Sequence, residues 1–217
     1  YLAQIAEYNS AFLQDREQSM TSDSRPRGWF SRGYLPHCSA PGMIQHIIFH
    51  LADSLPHKAI ARIENELRFI EDQKKSTERM NRIQHLLDSG LGSCVFRHAS
   101  CAKIMEETPQ FHDGERYRLL SWVVMPNHVH ALIEQNPGSS LSAIVQSWKR
   151  HTARQINLLS GKTGETLWHR DYWDRYIRDE AHLTAVRKYI ENNPVSARLA
   201  ERPEDWPWGS ARLKTPG

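Results

Sequence analysis

Residues 115–134, ERYRLLSWVVMPNHVHALIE, constrain the fold of this chain more than any other stretch. Two β-favouring apolar runs flank Pro126-Asn127, a pair that reads as a turn between strands. Strands joined so tightly pair antiparallel. Helical patterns lie on both sides of this hairpin, so the reading is an α+β layer: an antiparallel β-sheet with helices packed on it.

The rest of the chain fits that frame. MIQHIIFHL, from Met43, is a further strand between Pro41-Gly42 and Ser54-Leu55-Pro56. From His57 to Asp88 the pattern is helical and heavily charged, with Ile60, Ile63, Leu67 and Ile70 in one apolar stripe and Gly90 as the stop. A helix is expected over 99–110. A basic one, capped by Ser140 or Ser142, should run to about Leu158. LWHRDYWDRYIRDE reads as a short strand or irregular stretch. The last helix, DEAHLTAVRKYIENNP, should end at Pro194. Residues 1–42, rich in Ser, Pro, Gly and Arg, read as an N-terminal arm, and 43–217 as the globular domain.

The second strand of the hairpin carries His128 and His130. On a strand, residues two apart share a face, so the imidazoles point one way while Val129, Ala131 and Ile133 point the other. Two neutral imidazoles can converge on a divalent ion. A hydrogen-bonded pair in a half-buried sheet is the simpler reading until a third partner is found. Candidates lie on the last helix, where Tyr189 and Asn193 are one turn apart at the edge of the Leu183, Val186 and Ile190 stripe. Pro194 disfavours helical geometry at Asn193, which should put its amide in a fraying last turn, free to aim at a ligand.

VVMPNHVHALIE, followed by YIENNPVSARL and then DWPWGSA, resembles the single-tyrosine HUH transposases, and among them the REP-associated tyrosine transposases. The resemblance covers roughly residues 43–212 and implies an HUH endonuclease, ferredoxin-like-type fold. It implies that Tyr189 attacks a phosphodiester of single-stranded DNA, leaving a 5′-phosphotyrosine and a 3′-OH. It further implies that His128, His130 and Asn193 hold Mg²⁺ or Mn²⁺, although two imidazoles and an oxygen donor would also suit zinc. A phenol with a pKa near 10 is a poor nucleophile at neutral pH, and a divalent ion offsets the charge of the reacting phosphate. The implied partner is a DNA hairpin of the REP type with a single-stranded flank, and the implied state is a monomer.

Nucleic acid also fits the basic and aromatic residues. Lys149, Arg150 and Arg154 lie on one helical flank, and Trp168, Arg170, Trp173, Arg175 and Arg178 alternate rings with cations. Arg25, Arg27 and Arg32 form a third cluster in the arm. Some of these rings should be core, and Asp171, Asp174 and Asp179 dilute the second cluster. Trp206 and Trp208 should pin the C-terminal tail to the body. The net charge of +3 permits a nucleic-acid partner without requiring one. No 18-residue apolar run or leader-like segment occurs, and Cys38, Cys94 and Cys101 lack zinc-knuckle spacing, so a reduced cytoplasmic protein without a membrane partner is expected. A hairpin-binding regulatory module without turnover is the alternative function, and a small-phosphoester hydrolase a third.

Overall fold

The computed structural model describes residues 29–31, 36–38 and 42–213. Strands β1 (Trp29–Ser31) and β2 (Pro36–Cys38) pair with each other antiparallel, inside the stretch expected to be loop. Arg25, Arg27 and Arg32 lie outside the described residues.

The main sheet holds β3 (Ile44–His50), β4 (Tyr117–Val124), β5 (His128–Gln135) and β6 (Trp173–Tyr176), in the order β4-β5-β3-β6 with every pair antiparallel. Helix α3 (Ala99–Gln110) precedes β4, and α4 (Leu141–Leu159) carries the chain from β5 to β6 at the far edge. This is the split βαβ order of a ferredoxin-like sheet, the α+β layer that the sequence pattern predicts and the fold type that the resemblance implies. Ser140 caps α4, its Oγ accepting from the Ala143 N–H at 3.3 Å.

Alternation along the strands makes two unlike faces. On one, Ile47, Phe49 and Leu51 join Val129, Ala131 and Ile133 under Met105 of α3 and Ile144, Val145 and Trp148 of α4. Burying each such side chain is worth about 1.5–3 kcal/mol. The other face is covered by α5 (Glu180–Ser196), whose Val186, Tyr189 and Ile190 pack on Val123, Met125 and Leu132.

Between β3 and α3 the stretch from His57 to Asp88 is two helices, α1 (His57–Leu67) and α2 (Asp72–Asp88), and not one continuous charged run. Arg68 to Ile70 tighten into i to i+3 bonds and Glu71 is extended, so the chain folds back there. Ile63, Leu67, Ile83 and Leu87 form a small core between the two, and Arg79 to Glu64 and Arg82 to Glu66 bridge them at the surface. Gly90 (φ +69) ends α2, as the sequence suggested. Gly92 then takes φ +86 against the Asp53 carbonyl, where an added Cβ would sit 2.7 Å from the oxygen. Asn127 Nδ2 donates to the Leu91 carbonyl at 2.9 Å, so the end of α2 is tied to the β4–β5 turn.

α5 corrects one expectation. The helix runs through Pro194 to Ser196. Proline costs it one backbone donor, but Asn193 O accepts from Ala197 N and Pro194 O from Leu199 N, so the last turn closes regardless. Asn193 is accordingly buried in the helix body and not at a frayed end. The tail behaves as expected: Trp206 Nε1 donates to Val124 O, Val124 N donates to Trp208 O, and the segment wraps the β4 edge. Among the described residues, no helix is long and apolar enough to cross a membrane.

Candidate metal and nucleophile site

The second face of the sheet is unusual in what it buries. β3 supplies His46 and His50, and β5 supplies His128 and His130, with His50 opposite His128 in register. All four are at most 1 % exposed. The rings of His128 and His130 lie 5.0 Å apart, centroid to centroid. His130 Nδ1 is 3.0 Å from His46 Nε2. His130 Nε2 faces two side-chain amides at 3.4 Å, Asn193 of α5 and Gln84 of α2.

Tyr189 comes to the same place. Its ring stands edge-on to His130 with centroids 5.6 Å apart and to His46 at 6.1 Å, and it is 8 % exposed. One helical turn separates Tyr189 from Asn193, and that spacing brings both to the imidazoles. The four residues picked out from sequence are therefore neighbours in space.

Three further residues complete the cluster and were not picked out. His46 and Gln84 contact His130, and Asp88, one turn beyond Gln84 on α2, places Oδ1 3.6 Å from His128 Nε2. Gln84 Nε2 donates to Asp88 Oδ1 at 3.0 Å. His46 could have been found, since it lies on a strand pairing with β5. Gln84 and Asp88 carried no local signal within a charged helix.

Burial dominates the electrostatics. It pushes His46 and His128 well below the usual imidazole value, with the neighbouring His130 adding to the effect. His130 is lowered to about 3 by burial, and His50 to about 4, opposed by its hydrogen bond to the Leu51 carbonyl. The imidazoles are thus neutral at physiological pH, the form that binds cations. His50 also stacks on His169 and on Trp173, with centroids 4.5 and 5.1 Å apart. Among the described residues no three His, Cys, Asp or Glu side chains group as a metal cage. Any cation here would need the Asn193 amide as well.

The expected DNA contacts divide. Arg150 and Arg154 are exposed on α4, across the sheet from the histidines, and Arg170 and Arg178 are exposed on either side of β6. Trp173 and Arg175 are half-buried on β6, in register with Ile48 and His46 on the histidine face. Lys149 is spent otherwise: its Nζ donates to the carbonyls of His169, Arg170 and Asp171, and burial lowers it to about 8. Trp168 is core, buried against Phe49 and Phe96.

The IS200-like transposase family model matches residues 95–193, which include His128, His130, Tyr189 and Asn193. This segment is similar to the IS200-like transposases. The chain is also 29% identical over 96 residues to a Haemophilus influenzae protein named "Putative REP-associated tyrosine transposase", covering 40% of this chain and 54% of that one. A second, uncharacterized protein of the same organism is 28% identical over 110 residues, with 42% and 60% covered. The chain thus spans little more than half the length of these relatives. A solved REP-associated tyrosine transposase bound to a REP hairpin superposes with a TM-score of 0.52 at 14% identity, over 86% of this chain and 89% of that one. That likeness speaks for the fold. β3 and α2 lie outside the matched segment, and so do His46, His50, Gln84 and Asp88.

Proposed function

We propose that this chain is a tyrosine-nucleophile transposase that cuts and rejoins single-stranded DNA beside hairpins of the REP type. The observation that carries the reading is the meeting of Tyr189 and Asn193 at His130, the Tyr189 ring 5.6 Å from the imidazole centroid to centroid and the Asn193 amide nitrogen 3.4 Å from His130 Nε2, inside the IS200-like segment. The hairpin as partner is taken from the solved relative bound to one.

In the reaction, Tyr189 Oη attacks the phosphorus of a phosphodiester. An O–P bond to the phenol forms, the P–O3′ bond breaks, and the 3′ oxygen leaves as a hydroxyl while the phenol gives up its proton. The covalent ester keeps the energy of the broken bond, so a later 3′-OH can reverse the step, which suits strand transfer better than hydrolysis.

The residues fit a divalent cation. His128 Nε2 and Asn193 Oδ1 are buried and make no hydrogen bond, and buried polar atoms are rarely left so. His128, His130 and Asn193 would hold Mg²⁺ or Mn²⁺, which when bound withdraws charge from the phosphate and steadies the leaving oxygen. The imidazoles stay neutral through burial and present lone pairs. Tyr189 packs in one cluster with Val186 and Ile190 of α5, which sets its ring beside the histidines.

The test is a labelled hairpin oligonucleotide with a single-stranded flank, incubated with Mg²⁺ or Mn²⁺ and run on a denaturing gel. A protein–DNA adduct that vanishes in Tyr189→Phe is the expected result. Binding without an adduct would point to a regulatory module, and cleavage that survives Tyr189→Phe to a water nucleophile.

A further inference from the structure

The geometry points to His46 as a positioning residue, one that holds His130 in the tautomer whose Nε2 lone pair is open toward Asn193. This rests on the site just described and extends it to β3, outside the matched residues 95–193.

A neutral imidazole carries one N–H and one lone pair, and the partner of either nitrogen decides the role of the other. Burial keeps His130 and His46 in that neutral form. Gln84 supplies the fixed point. Its Nε2 donates to Asp88 Oδ1 at 3.0 Å, which settles which end of the amide is nitrogen, and the same Nε2 lies 3.4 Å from His130 Nε2. Asn193 Nδ2 stands at the same distance from that atom. A proton on His130 Nε2 would set three donors against one another in a fully buried place, so Nε2 bears the lone pair. The proton is then on Nδ1, 3.0 Å from His46 Nε2, and His46 is the acceptor.

The two rings are set for that bond. Their planes differ by 18° and their centroids lie 5.3 Å apart, so the His130 N–H meets the His46 nitrogen nearly in the plane of both rings. β3 fixes the acceptor, since His46 is in register with Leu132 of β5 and Arg175 of β6. The same ring stands edge-on to Tyr189, centroids 6.1 Å apart, so one side chain meets both the imidazole and the nucleophile. His128 is held in the same tautomer by another group. Asn127 Nδ2 is committed to the Leu91 carbonyl, which turns Asn127 Oδ1 to the His128 Nδ1–H at 2.8 Å. Both imidazoles thus present Nε2, each through an acceptor behind Nδ1. For His128 that acceptor is its neighbour in sequence; for His130 it is 84 positions away. Groups that orient a cation-binding imidazole in this way are typically worth about 10–100-fold in affinity or activity.

Magnetic resonance of the full, metal-free chain labelled with nitrogen-15 histidine tests this without DNA or turnover, because nitrogen–proton correlations tell the two tautomers apart. His130, identified by the signals lost in His130→Gln, should carry its proton on Nδ1 at neutral pH. A proton on Nε2 in the wild-type chain overturns the assignment. His46→Phe keeps a ring and removes the acceptor. In that variant the His130 proton should move to Nε2, and Mn²⁺ affinity by calorimetry and adduct formation should both fall roughly tenfold or more. His46→Gln, whose amide oxygen accepts, should restore most of both, which a loss of packing alone would not allow. A folded His46→Phe that keeps the Nδ1 proton and binds Mn²⁺ as wild type does also overturns the assignment. If His46→Phe fails to fold, the wild-type tautomer decides. A wild-type chain with the Nδ1 proton that takes up no Mn²⁺ and forms no adduct would sink the proposed function and leave the hold of His46 on His130 standing.

Discussion

On one side of β5, Val129, Ala131 and Ile133 meet Phe49, Leu51 and Trp148; on the other, His128 and His130 meet His46, Gln84, Asp88 and Asn193. Burial does not tell the two sides apart, since every one of these β5 residues is at most 1 % exposed. What differs is completion. The apolar side has only dispersion and hydration to satisfy, and close packing satisfies both. The polar side ends with His128 Nε2 and Asn193 Oδ1 unpartnered, each costing roughly 1–3 kcal/mol in a dry interior. A strand with period two can thus serve stability and chemistry at once, one residue of phase apart.

The widest gap between the two sides should be seen in a single oxygen. Tyr189→Phe keeps the ring that packs with Val186 and Ile190 and removes only the hydroxyl. Adduct formation on a labelled hairpin should fall on the order of a thousandfold or more, while the melting temperature stays near wild type. Phe49→Ala is the mirror experiment. The ring is fully buried against Trp148 and Trp168, and its loss should cost about 3–5 kcal/mol in urea unfolding. In the fraction that remains folded, adduct formation per molecule should be preserved. If Phe49→Ala instead abolishes the adduct in fully folded protein, the separation of the two sides is wrong.

That separation was partly visible in sequence. The alternation in HVHALIE assigns the two faces directly, and Tyr189 and Asn193 follow from helical spacing, because both signals are local. Asp88 and Gln84 were not readable. Their place beside the histidines depends on α2 folding back at Arg68–Glu71 and on Asn127 seizing Leu91, and neither event leaves a periodicity. The setting of Lys149 was hidden for a related reason. A basic helix announces its charge but not the three carbonyls of the 169–171 loop that its ammonium meets. The helix stop at Pro194 failed because a proline near the end of a helix forfeits one bond that neighbouring carbonyls offset.

Acid should erode the polar side first. His50 and His130 are held down to about 4 and about 3, and His46 and His128 well below 6.5, each chiefly by burial. Below pH 6.5 the unfolded chain takes up protons that the folded one refuses. Stability is therefore full above that value and falls as pH drops toward the lowered folded values, by up to about 1.4 kcal/mol per pH unit per histidine. In metal-free protein the urea midpoint should decline from about pH 6.5 to about pH 5, before most carboxylates titrate. A flat midpoint over that interval would contradict neutral burial of the four rings.

The smallest effect expected concerns α4, which packs on the apolar side while turning Arg150 and Arg154 outward. If these two meet DNA phosphates, Arg150→Ala and Arg154→Ala should each weaken binding a few-fold and reduce the salt dependence by roughly 0.7–0.9 of a counterion. Lys149→Ala should do neither. Its ammonium is occupied by the carbonyls at 169–171, and those residues lead into β6, so the expected loss is in melting temperature. Fluorescence anisotropy across a salt series, beside thermal melts, separates the outcomes. A lysine variant with full stability and a shallower salt slope would move Lys149 from the scaffold to the DNA surface, and with it the boundary between the two sides.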